Sequence, residues 1–348
     1  MEIPDTMQAV IKAEAAPGFA LSERPVPEIG PNDVLVKVRA ASICGTDLHI
    51  YNWDKWAASQ MQPPVTMGHE VCGTVVARGT NVESPDIGDF VSLESHVICN
   101  TCRFCRTGNG HICENTQLIG VHRDGGFAEY ISIPAQNAWV NPDDMPLNVA
   151  VLQENFGNAV HTAFAVDLRA KKVLVTGCGP VGLMTIAVAK ATGARAVYAT
   201  DVSDYRVDFA RRMGADAAIN AMKQDVMSEV MAATDGEGVD ALLEMSGAPA
   251  AIRQGFEVLK PGGEVALLGV VGKPFEIDWD KYLTFKAATV HGISGRRLWQ
   301  TWYQGRGLLN SGAVDLSPMV THEFKMAEFE KAVETMKSGE SGKVMLTP

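Results

Sequence analysis

Residues 171–182, KKVLVTGCGPVG, decide the architecture. The apolar run KVLVT (172–176) has the length of a buried strand. Gly177-Cys178-Gly179-Pro180-Val181-Gly182 follows it as G-x-G-x-x-G and opens the helix-length stretch VGLMTIAVAKATGA. Alone, this pattern says little. At a strand-to-helix turn it is specific, because Gly177, Gly179 and Gly182, with Val181 among them, allow a tight turn and bring a pyrophosphate close to a helix N-terminus. Asp201 ends the next apolar run, AVYATD (196–201), where an acidic residue is expected to bind the adenosine ribose hydroxyls. A carboxylate there repels a 2′-phosphate, so NAD is expected rather than NADP. Arg206 is expected to lie over the adenine face.

Further apolar runs extend this pattern: AAIN (217–220), VDALLEMSG (239–247), GEVALLG (263–269) and ATVHGI (288–293), most of them separated by helix-length stretches. Strands alternating with amphipathic helices imply right-handed crossovers and a doubly wound parallel sheet. Cofactors lie at the carboxyl ends of such strands. Leu268, Gly269 and Val270, closing the fifth strand, and Ile293 and Ser294, closing the sixth, are therefore expected around the nicotinamide. The first 140 or so residues read differently. DVLVKVRA (33–40), CGTVVARG (72–79), DFVSLESH (89–96) and FAEYISIP (127–134) are short runs between Gly, Pro, Asn and Asp, as in a small antiparallel barrel or sandwich. From about 297 the chain reads as two helices around a short strand, PMVT (318–321).

With 348 residues, 46% hydrophobic, the chain can bury two cores. Its 41 acidic against 30 basic residues give a net charge of -11, which argues against nucleic acid and anionic membrane surfaces and for small-molecule chemistry. The N-terminal MEIPDTMQAV lacks a basic stretch followed by an apolar run, and no segment offers 18 uninterrupted apolar residues, so a cytoplasmic location is expected.

Seven cysteines, an odd number in a chain of this length, suggest reduced thiols and metal rather than a disulfide framework. Cys99, Cys102, Cys105 and Cys113 are spaced C-x2-C-x2-C-x7-C. Four convergent thiolates make a closed structural zinc site, for which an iron–sulfur cluster is the competing use. A closed site has no position for substrate. A second, open site is suggested by Cys44 with Thr46 and His49 in SICGTDLHIY, and by His69 with Glu70 in MGHEVCG. Three protein ligands plus water or substrate make a catalytic zinc centre. Neighbours in an extended segment point to opposite faces, so His69 and Glu70 share one metal only if the chain is irregular there.

GHE, then a four-cysteine lobe, then a dinucleotide fold resembles the zinc-dependent medium-chain dehydrogenase/reductase family over essentially the whole chain. The resemblance implies an α/β protein with a GroES-like β-barrel catalytic domain (1–157 and 297–348) and a Rossmann domain (158–296). It implies one catalytic and one structural zinc per chain, and a homotetramer. By position it adds Glu154 as a ligand of the catalytic zinc, with Glu70 a fourth ligand or a group that moves onto the metal. Thr46 and His49 then form a proton relay to solvent. Within the family, ICGTDLHIYNWDKWA, LQENFGNAVHTA, SGAP (246–249) and GRRLWQTWY (295–303) resemble members that oxidise the secondary alcohol of L-threonine. His96, Arg296 and Arg297 are candidates for contacts to substrate or cofactor. A polyol or 2,3-butanediol dehydrogenase is the near alternative, and a thiol redox sensor the alternative of another class.

Overall fold

The strand Lys172–Thr176 is buried along its whole length, as an apolar run at the centre of a sheet covered on both faces must be. In the computed structural model, which describes residues 2–348, it sits inside a six-stranded parallel sheet. The order across that sheet is Ala217–Asn220, Ala196–Asp201, Lys172–Thr176, Val239–Glu244, Leu259–Leu267 and Thr289–Gly292. This is the doubly wound order, with the strand sequence reversing at Lys172–Thr176, and ligands bind at the carboxyl ends beside such a reversal. The helices Pro180–Ala191 and Asp204–Arg212 pack together, as do Val226–Ala233 and Pro249–Val258. Leu174, Leu242, Phe256, Leu259 and Val265 are buried in its core.

By compactness the chain divides into Met1–Glu154 with Leu316–Pro348, and Asn155–Asp315. The expected return at 297 therefore falls later, at Leu316. Packing explains the difference. Gly305, in the helix Gln300–Asn310, would place a Cβ only 3.3 Å from the Phe156 ring, and the Arg296 side chain lies against Gly157. Residues 296–310 are thus built onto the helix that starts the second unit.

The first unit is mostly antiparallel. Asp33–Ser42 is its hub, pairing with Glu70–Arg78 on one side and with Tyr130–Pro134 and Lys343–Thr347 on the other. Phe90–Leu93 and Ala138–Val140 extend the sheet past Glu70–Arg78, and Val320–Lys325 extends it past Lys343–Thr347. A second sheet of Ala20–Pro25, Thr6–Lys12 and Val65–Thr66 meets the segment leading into Tyr130–Pro134 through Val10 N–H to Phe127 O at 2.7 Å and Glu129 N–H to Gln8 O at 3.2 Å. Val36, Ile50, Met67, Val71, Phe127 and Leu346 share the enclosed core. The hairpin Thr6–Lys12/Ala20–Pro25 and the last strand were not expected from the sequence, although Pro17-Gly18 and Ser341-Gly342 are turn signals beside them.

One ionisable group is enclosed at the end of the first strand. Lys12 is fully buried, and its Nζ donates to the carbonyls of Ala16 and Gly18 and lies 5.0 Å from the centre of the Trp53 ring. Among the described residues no carboxylate pairs with it. Burial pulls its ammonium down to about 8 from the ordinary 10.5. Between those values the unfolded chain binds more protons than the folded one, so this lysine makes stability rise with pH from about 8 to 10.5. Lys12→Met should flatten that rise relative to the unmodified protein, measured as the urea midpoint at successive pH values across this window. Parallel curves for the two proteins would refute it.

Candidate metal and cofactor sites

Cys44 is placed by the end of the hub strand and the start of a helix. It caps Gly45–Asn52, its backbone N–H donating to Asp47 Oδ2 at 2.8 Å while Asp47 N–H returns to the Cys44 carbonyl at 3.1 Å. Cys44 is therefore the cap, and its thiol donates to the Thr46 hydroxyl at 3.8 Å.

His69 and Glu70 reach the same point because the backbone is forced to turn at Gly68. Its φ is +90°, and a Cβ there would lie 2.1 Å from the Phe127 ring. Gly125 packs against it so closely that its own Cβ would lie 2.1 Å from the Gly68 carbonyl. Glu70 then begins a strand in register with Ser42. The irregularity that the adjacent pair requires is present, and one ligand atom from each of Cys44, His69 and Glu70 lies within 4.8 Å of the others. Glu154 is not one of these three mutually close donors. Buried at the start of the helix Gln153–Phe164, its Oε1 accepts from Ser95 Oγ at 2.6 Å.

The electrostatics of this cluster call for a cation. Burial works against a charged His69, yet the Asp47 carboxylate, the Cys44 sulfur and the Glu154 carboxylate together push it up to about 10. Burial likewise opposes the charge on Glu70, but Lys343, with His69 and the Ser42 hydroxyl, holds its carboxyl below the usual range. His69 Nδ1 and Asp47 Oδ1 are buried 3.7 Å apart without a hydrogen-bond partner among the described residues. An imidazole backed by a carboxylate, facing a thiol and a second carboxylate, is a donor set that suits zinc.

The other cluster is a fourfold one. Cys99, Cys102, Cys105 and Cys113 are free thiols whose sulfurs approach at 3.5 Å (102 to 105), 3.5 Å (99 to 113) and 3.9 Å (102 to 113). A tetrahedron with bonds of about 2.3 Å has edges of about 3.8 Å, so the spacing fits one zinc. Backbone N–H groups of Cys102 and Asn115 point at Cys99 Sγ and Cys113 Sγ, both at 3.3 Å. A hydrogen bond from Thr101 and neighbouring N–H groups pull Cys99 down to about 5, whereas burial, with the adjoining thiols, pushes Cys105 up to about 12. Crowded sulfurs hold unequal protons unless a cation gathers them.

His49 is exposed in the first unit, with Nδ1 2.6 Å from Asp54 Oδ2. His96 begins a short strand and has Nδ1 3.0 Å from the buried Glu94 carboxylate.

In the second unit, Gly177 takes a φ of +87°, and a Cβ on Gly182 would lie 2.0 Å from the Gly177 carbonyl. Pro180 opens the helix where no N–H is needed. Asp201 binds the loop itself. Oδ2 accepts from Cys178 N–H at 2.7 Å and Oδ1 from Ser203 N–H at 3.0 Å, while Ser203 caps the following helix. Each oxygen keeps a lone pair for a further donor. Arg206 Nε is buried without a partner among the described residues, so this loop holds an open donor beside a carboxylate, which suits a ribose and base. Leu268, Gly269 and Val270 lie just past the strand end at Leu267, and Ile293 and Ser294 just past Gly292. Their arrangement depends on Glu244, which the sequence did not single out. Its carbonyl accepts from Leu268 and Gly269, and its buried carboxylate accepts from Ser246 N–H at 2.9 Å and Gly247 N–H at 3.1 Å. Arg296 is 1% exposed, with Nη1 3.4 Å from Asn158 Oδ1, and so belongs to the interior of this unit. Asp47 and Asp54 were also missed, although the spacing of Asp47 three residues after Cys44 is that of a capping box.

Gly182→Ala should weaken NADH binding by about tenfold or more, because the added methyl separates helix from loop. Fluorescence titration of NADH reads this, with far-UV circular dichroism to confirm folding. Unchanged affinity would refute the close-approach argument.

A zinc-binding dehydrogenase family model matches residues 180–311, and a model of the alcohol dehydrogenase GroES-like domain matches residues 30–143. The chain is 50% identical over 345 residues to an L-threonine 3-dehydrogenase of Symbiobacterium thermophilum, covering 99% of this chain and 98% of that one. It is also 50% identical over 342 residues to that of Pyrococcus abyssi, covering 98% of each. Among solved structures, an alcohol dehydrogenase of Escherichia coli CFT073 complexed with NADH superposes with a TM-score of 0.91 at 28% identity, covering 99% of this chain and all of that one.

Proposed function

Because the chain belongs to the zinc-dependent medium-chain dehydrogenase family, we propose that it oxidises the secondary alcohol of L-threonine to 2-amino-3-oxobutanoate with hydride transfer to NAD. The observation that carries this reading is half identity to threonine 3-dehydrogenases across almost the whole chain, on a scaffold that gathers Cys44, His69 and Glu70 at one point.

When bound, zinc makes an alcohol hydroxyl acidic enough to lose its proton near neutral pH, and NAD accepts the hydride. Cys44 and His69 are the ligands in every arrangement of the site, with Glu70 or Glu154 the third. Asp47 orients the His69 ring from behind. Glu70 is engaged by Lys343 and Ser42, and Glu154 by Ser95, so either carboxylate would have to weaken such bonds to hold the metal. Cys99, Cys102, Cys105 and Cys113 hold the second, structural zinc. Thr46 and His49 carry the released proton to solvent, each able to accept and donate. Asp201 binds the adenosine ribose and rejects a 2′-phosphate, while Arg206 lies over the adenine. Gly177, Gly179, Val181 and Gly182 carry the pyrophosphate.

The reading also places the enzyme in the cytoplasm as a homotetramer. No helix of the described residues is long and apolar enough to cross a membrane. Thr289–Gly292 is the edge of the parallel sheet, and Val290, Phe285 and Trp279 are exposed on and before it, a surface suited to a second copy of the chain.

Metal-replete protein should form NADH with L-threonine at a kcat/KM about a hundredfold above sorbitol or 2,3-butanediol, and should prefer NAD to NADP. Elemental analysis should return two zincs per chain and light scattering a tetrameric mass. Higher activity on a polyol or diol would replace the substrate assignment. No alcohol oxidation, with reversible disulfide formation, would favour the thiol sensor.

A further inference from the structure

The helix Gly45–Asn52 ends on Trp53, which takes the left-handed conformation, φ 52° and ψ 51°. A residue with a Cβ meets steric strain in that geometry, so neighbouring contacts must hold it. The Lys12 ammonium over the Trp53 ring, caged by the Ala16 and Gly18 carbonyls, is one such contact. The turn doubles the chain back, with Trp53 N–H on Ile50 O at 3.1 Å and Asp54 N–H on His49 O at 3.2 Å. It brings Asp54 face to face with His49.

The two Asp54 oxygens have separate tasks. Oδ1 accepts from Ala57 N–H at 3.0 Å and caps the helix Lys55–Gln60, and Oδ2 lies 2.6 Å from His49 Nδ1. The Ala57 N–H, and then His49, keep the carboxyl below the ordinary carboxylate range, so Asp54 faces the ring as an anion. Trp56 meets the imidazole edge-on, with ring centres 6.3 Å apart. At 63% exposure the His49 side chain would otherwise be free to sample several rotamers.

We propose that Asp54 is the positioning residue of the proton relay: it takes Nδ1–H of His49 and thereby presents Nε2 as the nitrogen that accepts the proton leaving the substrate. The inference rests on the relay role of His49 given above. The proton arrives at Nε2, the imidazolium is briefly balanced by the Asp54 carboxylate, and the same proton departs to bulk water; no electrons move in this step. An ion pair this exposed adds little stability. Its contribution is to orientation and tautomer, as with the carboxylate behind any imidazole that works as a base.

Asp54→Ser tests this without removing the cap, because serine caps well but is too short to reach His49. In dilute, non-basic buffer, Asp54→Ser should lower kcat for L-threonine about tenfold while KM stays within about twofold, and added imidazole should restore much of the loss. Asp54→Glu should keep most of the turnover. His49→Gln should lose at least as much as Asp54→Ser, and the double variant should be no slower than His49→Gln alone. Asp54→Asn, which also caps, serves if the serine variant fails to fold. A His49→Gln enzyme with full turnover would overturn the relay and this inference with it. An impaired His49→Gln beside a fully active Asp54→Ser would overturn the role of Asp54 alone, as would a loss that appears only in KM or that imidazole does not relieve.

Discussion

The first unit is organised around a concentration of acidic groups. The carboxyls of Asp47, Glu70 and Glu154 are buried with the half-buried Cys44 sulfur around one imidazole and one ammonium, in surroundings where an unbalanced anion is costly. Each nearby element contributes something to that balance. The hub strand ends so that its neighbour becomes a helix cap, the Gly68 turn brings two adjacent side chains to one point, and the last strand delivers Lys343, whose Nζ also donates to the Ile43 carbonyl at 3.0 Å. A divalent cation is the natural completion of this arrangement. The four-cysteine lobe has the same need in a simpler form, with sulfurs alone as donors.

The second unit poses the opposite problem, because a dinucleotide is itself an anion. The loop therefore offers backbone N–H groups and no excess of acid, and its single carboxylate, Asp201, is partly spent on the loop it serves. Glu244 plays the matching part on the far side of the strand Lys172–Thr176 by gathering the amides of Ser246 and Gly247. Two carboxylates, at the ends of the strands that flank Lys172–Thr176 on its two sides, thus shape the turns around the point where the strand order reverses.

Much of this was legible in the sequence. KVLVT followed by three spaced glycines carries both the strand and the turn, because each property is local, and the four cysteines carry their geometry in their spacing. The run AVYATD matches its strand residue for residue. Other features were hidden because they depend on partners distant in the chain. Whether His69 and Glu70 could face one point turned on the fit of Gly68 against Gly125 and Phe127, more than fifty residues away. Lys343 reads as an ordinary surface lysine until its strand pairs with Asp33–Ser42. That the compact units divide at Leu316 rather than at 297 was not legible, because a helix period cannot say which neighbour a helix packs against. Asp54 was overlooked for a different reason: its role follows from a left-handed tryptophan, and nothing in residue type announces that conformation.

The strand Lys343–Thr347 joins the first unit only after about 160 residues of the second have intervened. A polypeptide emerging amino end first therefore carries Cys44, His69 and Glu70 well before it carries the ammonium that neutralises Glu70. During synthesis the donor cluster exists as an incomplete, over-acidic half-site, and the unit that holds it cannot close until its companion has been translated. Completion of this donor cluster is thereby coupled to the final stage of translation: a chain ending before Lys343 would carry Cys44, His69 and Glu70 without the ammonium that neutralises Glu70.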